Sequence, residues 1–256
     1  MGRKRMTTIT YPVIPGAGAF YYEGNDIGIL LCHGFNGTPQ SVRDVGIALM
    51  EKGFTVFAPR LKGHGTDPEE FRQSTRRCWY ESMEAGIRLL RERCRHVIVV
   101  GQSMGGTLAM KAALAGQADA IVTINAALSV PGYACHATDD VCRFIDEDEP
   151  DICAPGVYEI VYDKVPTSAI RELLALIEEV RPMAAEVTVP TCVIHSAIDN
   201  VVPPEDSMWL YETVQAPKQR EVLEQSYHVA TMDHDRERLA DVIGAFCEQV
   251  ATAPKM

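Results

Sequence analysis

The chain has 256 residues, 46% of them apolar and 23% charged, enough for one large domain with a substantial core. A formal net charge of −11 excludes the basic surface that nucleic acid or an anionic membrane requires, so neither is expected as a partner. No apolar run reaches the length of a transmembrane helix, so no stable membrane insertion is expected. The basic cluster Arg3, Lys4, Arg5 is not followed by an apolar stretch and does not read as a signal peptide. Gly2 invites a myristoylation reading, but Met6 stands where that signal needs Ser or Thr. The eight cysteines show no Cys-x-x-Cys spacing and read as reduced thiols in a cytoplasm, Cys32 and Cys192 as small buried hydrophobes. Cys135, Cys142 and Cys153 have only His136 nearby, which fits no standard metal site, and no metal or cofactor is expected.

Apolar β-type runs alternate with helical periodicity, the pattern of a mostly parallel central sheet flanked by helices. Residues 27–31 read as a buried strand, and Thr38 as an N-cap with Pro39 at the first helical position. Val42, Val45 and Leu49 follow at helical spacing until Lys52 and Gly53 close the helix. Residues 54–58 are the next strand, 59–74 a long polar loop, and 79–93 a helix with Met83, Ile87 and Leu90 on one face. A strand at 97–100, an Ala- and Gly-rich helix at 104–115 and a strand at 120–124 continue the alternation. From 128 to 182 the rhythm breaks. An acidic run at 146–151 reads as a solvated loop, and one amphipathic helix carries Ile170, Leu173, Leu174 and Ile177 on a stripe. This organisation predicts a core of residues 1–127 and 183–256 with a small cap, 128–182, inserted between core strands. A strand at 191–195, a helix at 205–214, a short strand at 221–223 and a closing helix at 233–250 complete the core.

The chemistry-bearing motif is Gly101-Gln102-Ser103-Met104-Gly105 between the strand at 97–100 and the following helix. Strand, Gly-x-Ser-x-Gly turn and helix describe a nucleophile elbow, with glycines at −2 and +2 because a side chain there would strike backbone. A neutral serine is a weak nucleophile, so Ser103 needs a base and a third group that orients it. Of the seven histidines, His96 lies at the wrong end of its strand, and His195 lies inside a strand as a packed or hydrogen-bonded residue. His136 is in the insert, His33 and His64 precede the serine, and His234 falls in the first turns of the last helix. His228, in the loop between the last strand and last helix, remains as the base. Asp199, on the loop after the strand at 191–195, is the orienting acid, whereas Glu205 and Asp206 fit a helix N-terminus. The oxyanion of a tetrahedral intermediate needs preorganised N–H donors, and the amides of Met104 and Phe35 stand in the required places. The Phe35 ring has two readings, one lining a substrate pocket and one purely packing. A phosphate-loop reading of the glycine-rich turn fails, because Gly-x-x-x-x-Gly-Lys-Ser/Thr is absent.

Together, the segments 32–41 (Cys-His-Gly-Phe-Asn-Gly-Thr-Pro-Gln-Ser), 59–66 (Pro-Arg-Leu-Lys-Gly-His-Gly-Thr), 101–106 and 226–233 resemble the bacterial carboxylesterase/monoacylglycerol lipase group of α/β-hydrolases. The resemblance runs from about Ile27 to Phe246 and implies an α/β-hydrolase fold with a compact cap. It also implies the triad Ser103, Asp199, His228 and an oxyanion hole at Phe35 and Met104. Asn36 stands where such proteins often carry Thr. The expected activity is hydrolysis of short- to medium-chain carboxylic esters through an acyl-enzyme, with a small-molecule ester as partner. A monoacylglycerol lipase is the nearest alternative, and a ligand receptor that keeps the pocket is another class. Within the cap, Ile145 and the apolar helix stripe either line an acyl channel or form cap core.

Overall fold

The computed structural model describes residues 10–138 and 143–253; the N-terminal basic cluster with Gly2 and Met6, and Cys142, lie outside the described residues. Chain order begins with β1 (Phe20–Tyr22), β2 (Ile27–Cys32), α1 (Arg43–Glu51), β3 (Thr55–Ala58), α2 (Pro68–Gln73) and α3 (Arg76–Arg91). It continues with β4 (His96–Gln102), α4 (Met104–Leu114), β5 (Ala120–Ile124), β6 (Phe144–Asp146), β7 (Lys164–Pro166) and α5 (Thr167–Val180). The last elements are β8 (Thr191–Ser196), α6 (Pro204–Thr213), β9 (Lys218–Leu223) and α7 (Arg236–Thr252). The main sheet has the order β1-β3-β2-β4-β5-β8-β9. All its pairings are parallel except β1 with β3, so the fold is the expected mostly parallel α/β sheet flanked by helices.

Strand alternation builds a core on each face of the sheet. Leu30, Val97, Val99, Ile121 and Val193 point to one face, where they meet Trp79 and Met83 of α3, Leu108 of α4 and Ile170 of α5. Ile29, Leu31, Ile98, Val100, Val122 and Ile194 point to the other, against Val45 and Leu49 of α1 and Leu239 and Ile243 of α7. The register sets Cys32 of β2 beside Gly101 of β4, and Gln102 beside Ile124 of β5. The carboxyl ends of these strands therefore finish at one edge, and the loops leaving them meet there.

Several boundaries differ from the sequence reading, each for a local reason. The loop expected at 59–74 contains α2, whose start is set by Asp67: its side chain accepts the Glu69 N–H at 2.7 Å, and Pro68 takes the first helical position. Strand β9 begins three residues earlier than 221, at Lys218, and its polar start belongs to a sheet edge, where charged side chains face solvent. The closing helix starts at Arg236, so His234 sits in the preceding turn rather than in the helix. On α5 the buried stripe is Ile170, Leu173, Leu176, Ile177 and Val180, and Leu174 falls outside it. The segment 128–182 also carries the hairpin β6–β7, with Ile145 paired to Val165, which no alternation in the sequence announced. No helix among the described residues is long and apolar enough to cross a membrane.

Candidate active site

Ser103 sits at the tip of β4 with φ 54° and ψ −120°, a backbone conformation that an L-residue holds only when its surroundings enforce it. They do so tightly. A Cβ on Gly101 would lie 2.0 Å from the Gly105 carbonyl oxygen, and one on Gly105 would lie 2.3 Å from that of Cys32. The Ser103 N–H donates to the Ile124 carbonyl at 2.8 Å, and the Ser103 carbonyl accepts from Gly106 at 2.8 Å and Ala127 at 3.1 Å. Turn, helix and neighbouring strand thus lock the residue with its hydroxyl directed off the sheet.

The structure brings the three residues expected to cooperate into one chain of contacts. Ser103 Oγ lies 2.9 Å from His228 Nε2, and His228 Nδ1 lies 2.8 Å from Asp199 Oδ2. The other Asp199 oxygen accepts the N–H groups of Val201 at 2.9 Å and Val202 at 2.8 Å. A carboxylate can only accept, so the neutral imidazole carries its proton on Nδ1 and presents a lone pair at Nε2 to the serine hydroxyl. Ser103 and His228 are both buried.

The loop that bears His228 is held by side chains that sequence reasoning did not single out. Gln102 Nε2 donates to the His228 carbonyl at 2.6 Å, and Asn125 Nδ2 donates to the same oxygen at 2.8 Å. Asn125 also takes the Ser196 N–H at 2.8 Å, which ties β5, β8 and the histidine loop into one corner. Its φ of 46° suits asparagine better than most residues. An Asn directly after a buried strand, at the sheet's carboxyl edge, was the available signal.

The loop after β2 packs directly on the serine: a Cβ at Gly34 would lie 3.3 Å from Ser103 Cβ and 3.9 Å from Oγ. Met104 opens α4, where amides have no acceptor within the helix. The Phe35 ring lies 5.1 Å from Phe71, 6.0 Å from Trp79 and 5.8 Å from Tyr133 of segment 128–182. Asn36 has φ 61°, and its amide donates to the Tyr162 carbonyl at 2.9 Å while accepting the Tyr162 N–H at 3.2 Å. Asn36 therefore clamps this loop to the segment that carries Tyr162. His33 accepts the Leu61 N–H at Nε2 (3.2 Å) and packs against His64 at 5.1 Å between ring centroids. Burial pushes the His33 imidazole down to about 4, keeping it neutral for that acceptor role.

A cavity of about 400 Å³ opens over Ser103 and His228. Its walls include Phe35, Val130, Ile145 and Leu173, together with Asn36, Tyr133 and His136. The acidic run at 146–151 is largely solvated, with Asp146, Asp148 and Glu149 exposed, but it also borders the cavity, and Glu147 takes the Tyr133 hydroxyl at 2.5 Å. His136, set aside as an insert residue, borders it too. Glu159 is the least expected member: buried, at the cavity wall, with its carboxylate in the space that the missing Cβ of Gly37 leaves open. Burial pushes its carboxyl up to about 7, opposed by the His228 imidazole and a hydrogen bond from Ser41. It lies in irregular sequence where periodicity gives no signal. Of the remaining histidines, His96 begins β4 at the opposite edge, and His195 is buried with Nδ1 3.2 Å from the Ser196 carbonyl oxygen.

Comparison with known proteins matches this architecture. A family described as "Alpha/beta hydrolase family" matches residues 29–242. The chain is 38% identical to a thermostable monoacylglycerol lipase of Bacillus sp. (strain H-257), over 88% of this chain and 92% of that protein. It is 27% identical to a carboxylesterase of Bacillus subtilis (strain 168), over 90% and 96% respectively. A solved structure of a metagenome-derived lipolytic enzyme superposes with a TM-score of 0.89 at 37% identity, covering 93% of this chain and all of the other.

Proposed function

Because the chain belongs to the alpha/beta hydrolase family, within its carboxylesterase and monoacylglycerol lipase branch, we propose that it hydrolyses carboxylic esters through an acyl-enzyme on Ser103. The observation that carries this reading is the unbroken contact series Ser103 Oγ–His228 Nε2 and His228 Nδ1–Asp199 Oδ2, at 2.9 and 2.8 Å. In acylation, Ser103 Oγ bonds to the ester carbonyl carbon while its proton passes to His228 Nε2. Asp199 stabilises the imidazolium, and the amides of Phe35 and Met104 receive the oxyanion, each such donor being worth about 3 kcal/mol. Collapse breaks the ester C–O bond, and the imidazolium protonates the departing alcohol. Water then attacks the acyl carbon, its proton going to His228, and the acid leaves as Ser103 recovers its hydrogen. No cofactor enters the scheme.

The substrates we infer are small neutral esters of short to medium chain length, with Phe35 and Ile145 against the acyl part, in a cavity of about 400 Å³. Residues 128–182 serve as the cap over a core of 1–127 and 183–256. Monoacylglycerols are the second reading, favoured by the 38% identical lipase and by Glu159 at the cavity wall, a carboxylate able to accept from free hydroxyls of a glyceryl group. A cytoplasmic setting is supported by the described cysteines, all of which are free thiols.

The test is stoichiometric labelling by a fluorophosphonate, followed by mass, alongside turnover of nitrophenyl butyrate. One adduct on Ser103 and a fall in turnover of more than about 10⁴-fold in Ser103→Ala are expected. An unlabelled protein, or a Ser103→Ala variant that still turns over, would sink the mechanism; binding without turnover would make the chain a receptor.

A further inference from the structure

Asp151 closes the acidic run of the cap, and the reaction scheme above leaves it unused. One of its carboxylate oxygens, Oδ2, accepts the backbone N–H of Asn200 at 3.0 Å and that of His228 at 3.1 Å. The other, Oδ1, accepts from Asn200 Nδ2 at 2.7 Å, and the Asp151 carbonyl accepts the Val229 N–H at 3.1 Å. A single side chain therefore grips the residue directly after Asp199 and the histidine itself.

The grip is anchored at its far side. Asp233 accepts the N–H groups of Cys153 at 2.7 Å and Ala154 at 2.9 Å, and also that of Tyr227 at 2.8 Å. Segment 151–154 and loop 227–229 are thus fastened to each other at two points. Both backbone polar groups of the histidine are held, its N–H by Asp151 and its carbonyl by Gln102 and Asn125.

We propose that Asp151 is a positioning residue, supplied by the inserted segment, that sets the separation between Asp199 and His228. The proposal rests on these two residues being the acid and base of the triad. The physical need is plain. Acid and base leave the sheet on separate loops, after β8 and β9, whose pairing ends at Ser196 and Leu223 with one more bond from the Ala197 N–H to the Leu223 carbonyl. Beyond that point the loops need their own ties. Hydrogen bonds to an ionised carboxylate are about twice as strong as neutral ones, and one acceptor shared by both loops fixes their relative position.

The test compares Asp151→Ala, Asp151→Asn and Asp151→Glu on nitrophenyl butyrate, with melting temperature and fluorophosphonate labelling measured alongside. Displacement of the base by about 1 Å costs about 100-fold, so Asp151→Ala should lower kcat and labelling rate together by about 10- to 100-fold. KM should stay within about twofold, because Asp151, although it borders the cavity, spends its carboxylate oxygens on Asn200 and His228. Asp151→Asn keeps an oxygen for the two amides, and the Asn200 amide can turn to receive the new NH₂, so it should recover kcat to within about threefold of wild type. Asp151→Glu keeps the charge but shifts the oxygens by a methylene, and should resemble the alanine variant. Wild-type kcat in Asp151→Ala, or a loss confined to KM, would overturn the proposal. Should the alanine variant not fold, the other pair decides: equal, wild-type kcat in Asp151→Asn and Asp151→Glu overturns it. A wild-type protein that neither labels nor turns over would fail the ester-hydrolase reading instead.

Discussion

Single residues here are held in states that cost energy on their own. Ser103 keeps φ 54° because Gly101 and Gly105 let β4, α4 and the loop after β2 close to distances no side chain permits. That requirement is steric and local, so the elbow was legible from the residues alone. Glu159 was not legible, since it is buried against Gly37, more than a hundred positions earlier in the chain, at a cavity wall it shares with His228. Its carboxyl, raised from an ordinary 4.5 to about 7, stabilises the folded state fully below pH 4.5. The contribution is lost as pH rises through about 7, because the folded chain must then hold a buried charge that the unfolded chain solvates freely. Glu159→Gln removes this dependence. Melting curves from pH 4.5 to 8.5 should show the variant gaining on wild type as pH rises, by up to about 3 kcal/mol. A constant difference between the two would refute the assignment.

Elements with regular periodicity were recognised, and those set by tertiary surroundings were not. Helices α3 and α5 announce themselves by apolar residues at helical spacing, because one face of each is buried in the core, α3 on β2, β3 and β4 and α5 on α2, α3 and α4. The two-stranded piece β6–β7 has three residues in each strand, too few for alternation to show, yet it holds Ile145 at the cavity wall. With Leu173 of α5 it supplies apolar lining. Each buried methylene is worth about 0.8 kcal/mol, so kcat/KM for nitrophenyl esters should rise about fourfold per carbon until the cavity is filled. Ile145→Trp should flatten that rise, with acetate turnover kept and longer esters losing most. Equal rates across chain length in the wild type would show that this wall does not read the acyl group.

At the scale of the molecule, the parallel sheet gathers every loop that matters at one edge, and burial partitions the thiols. Cys32 and Cys192 are buried on the sheet, which pushes them up to about 12 and about 11, while Cys135 and Cys153 are exposed. Ellman's reagent should therefore modify the exposed pair in the native protein and reach Cys32, Cys94, Cys192 and Cys247 only after denaturation. Rapid native modification of those four would contradict the packing of both core faces. The sequence by itself determined the alternating α/β architecture and the elbow motif at Ser103, because each depends on steric or periodic constraints spanning a few neighbouring residues. The expectation of His228 and Asp199 as partners, by contrast, draws on the chain order of the family it resembles. Only the tertiary structure decided what holds that chemistry in place: Asn36 on Tyr162, Gln102 and Asn125 on the carbonyl of His228, Asp151 on its N–H, and Glu159 at the cavity wall. These contacts join segments remote in sequence, and hydrogen bonds between such segments have no period for a linear reading to find.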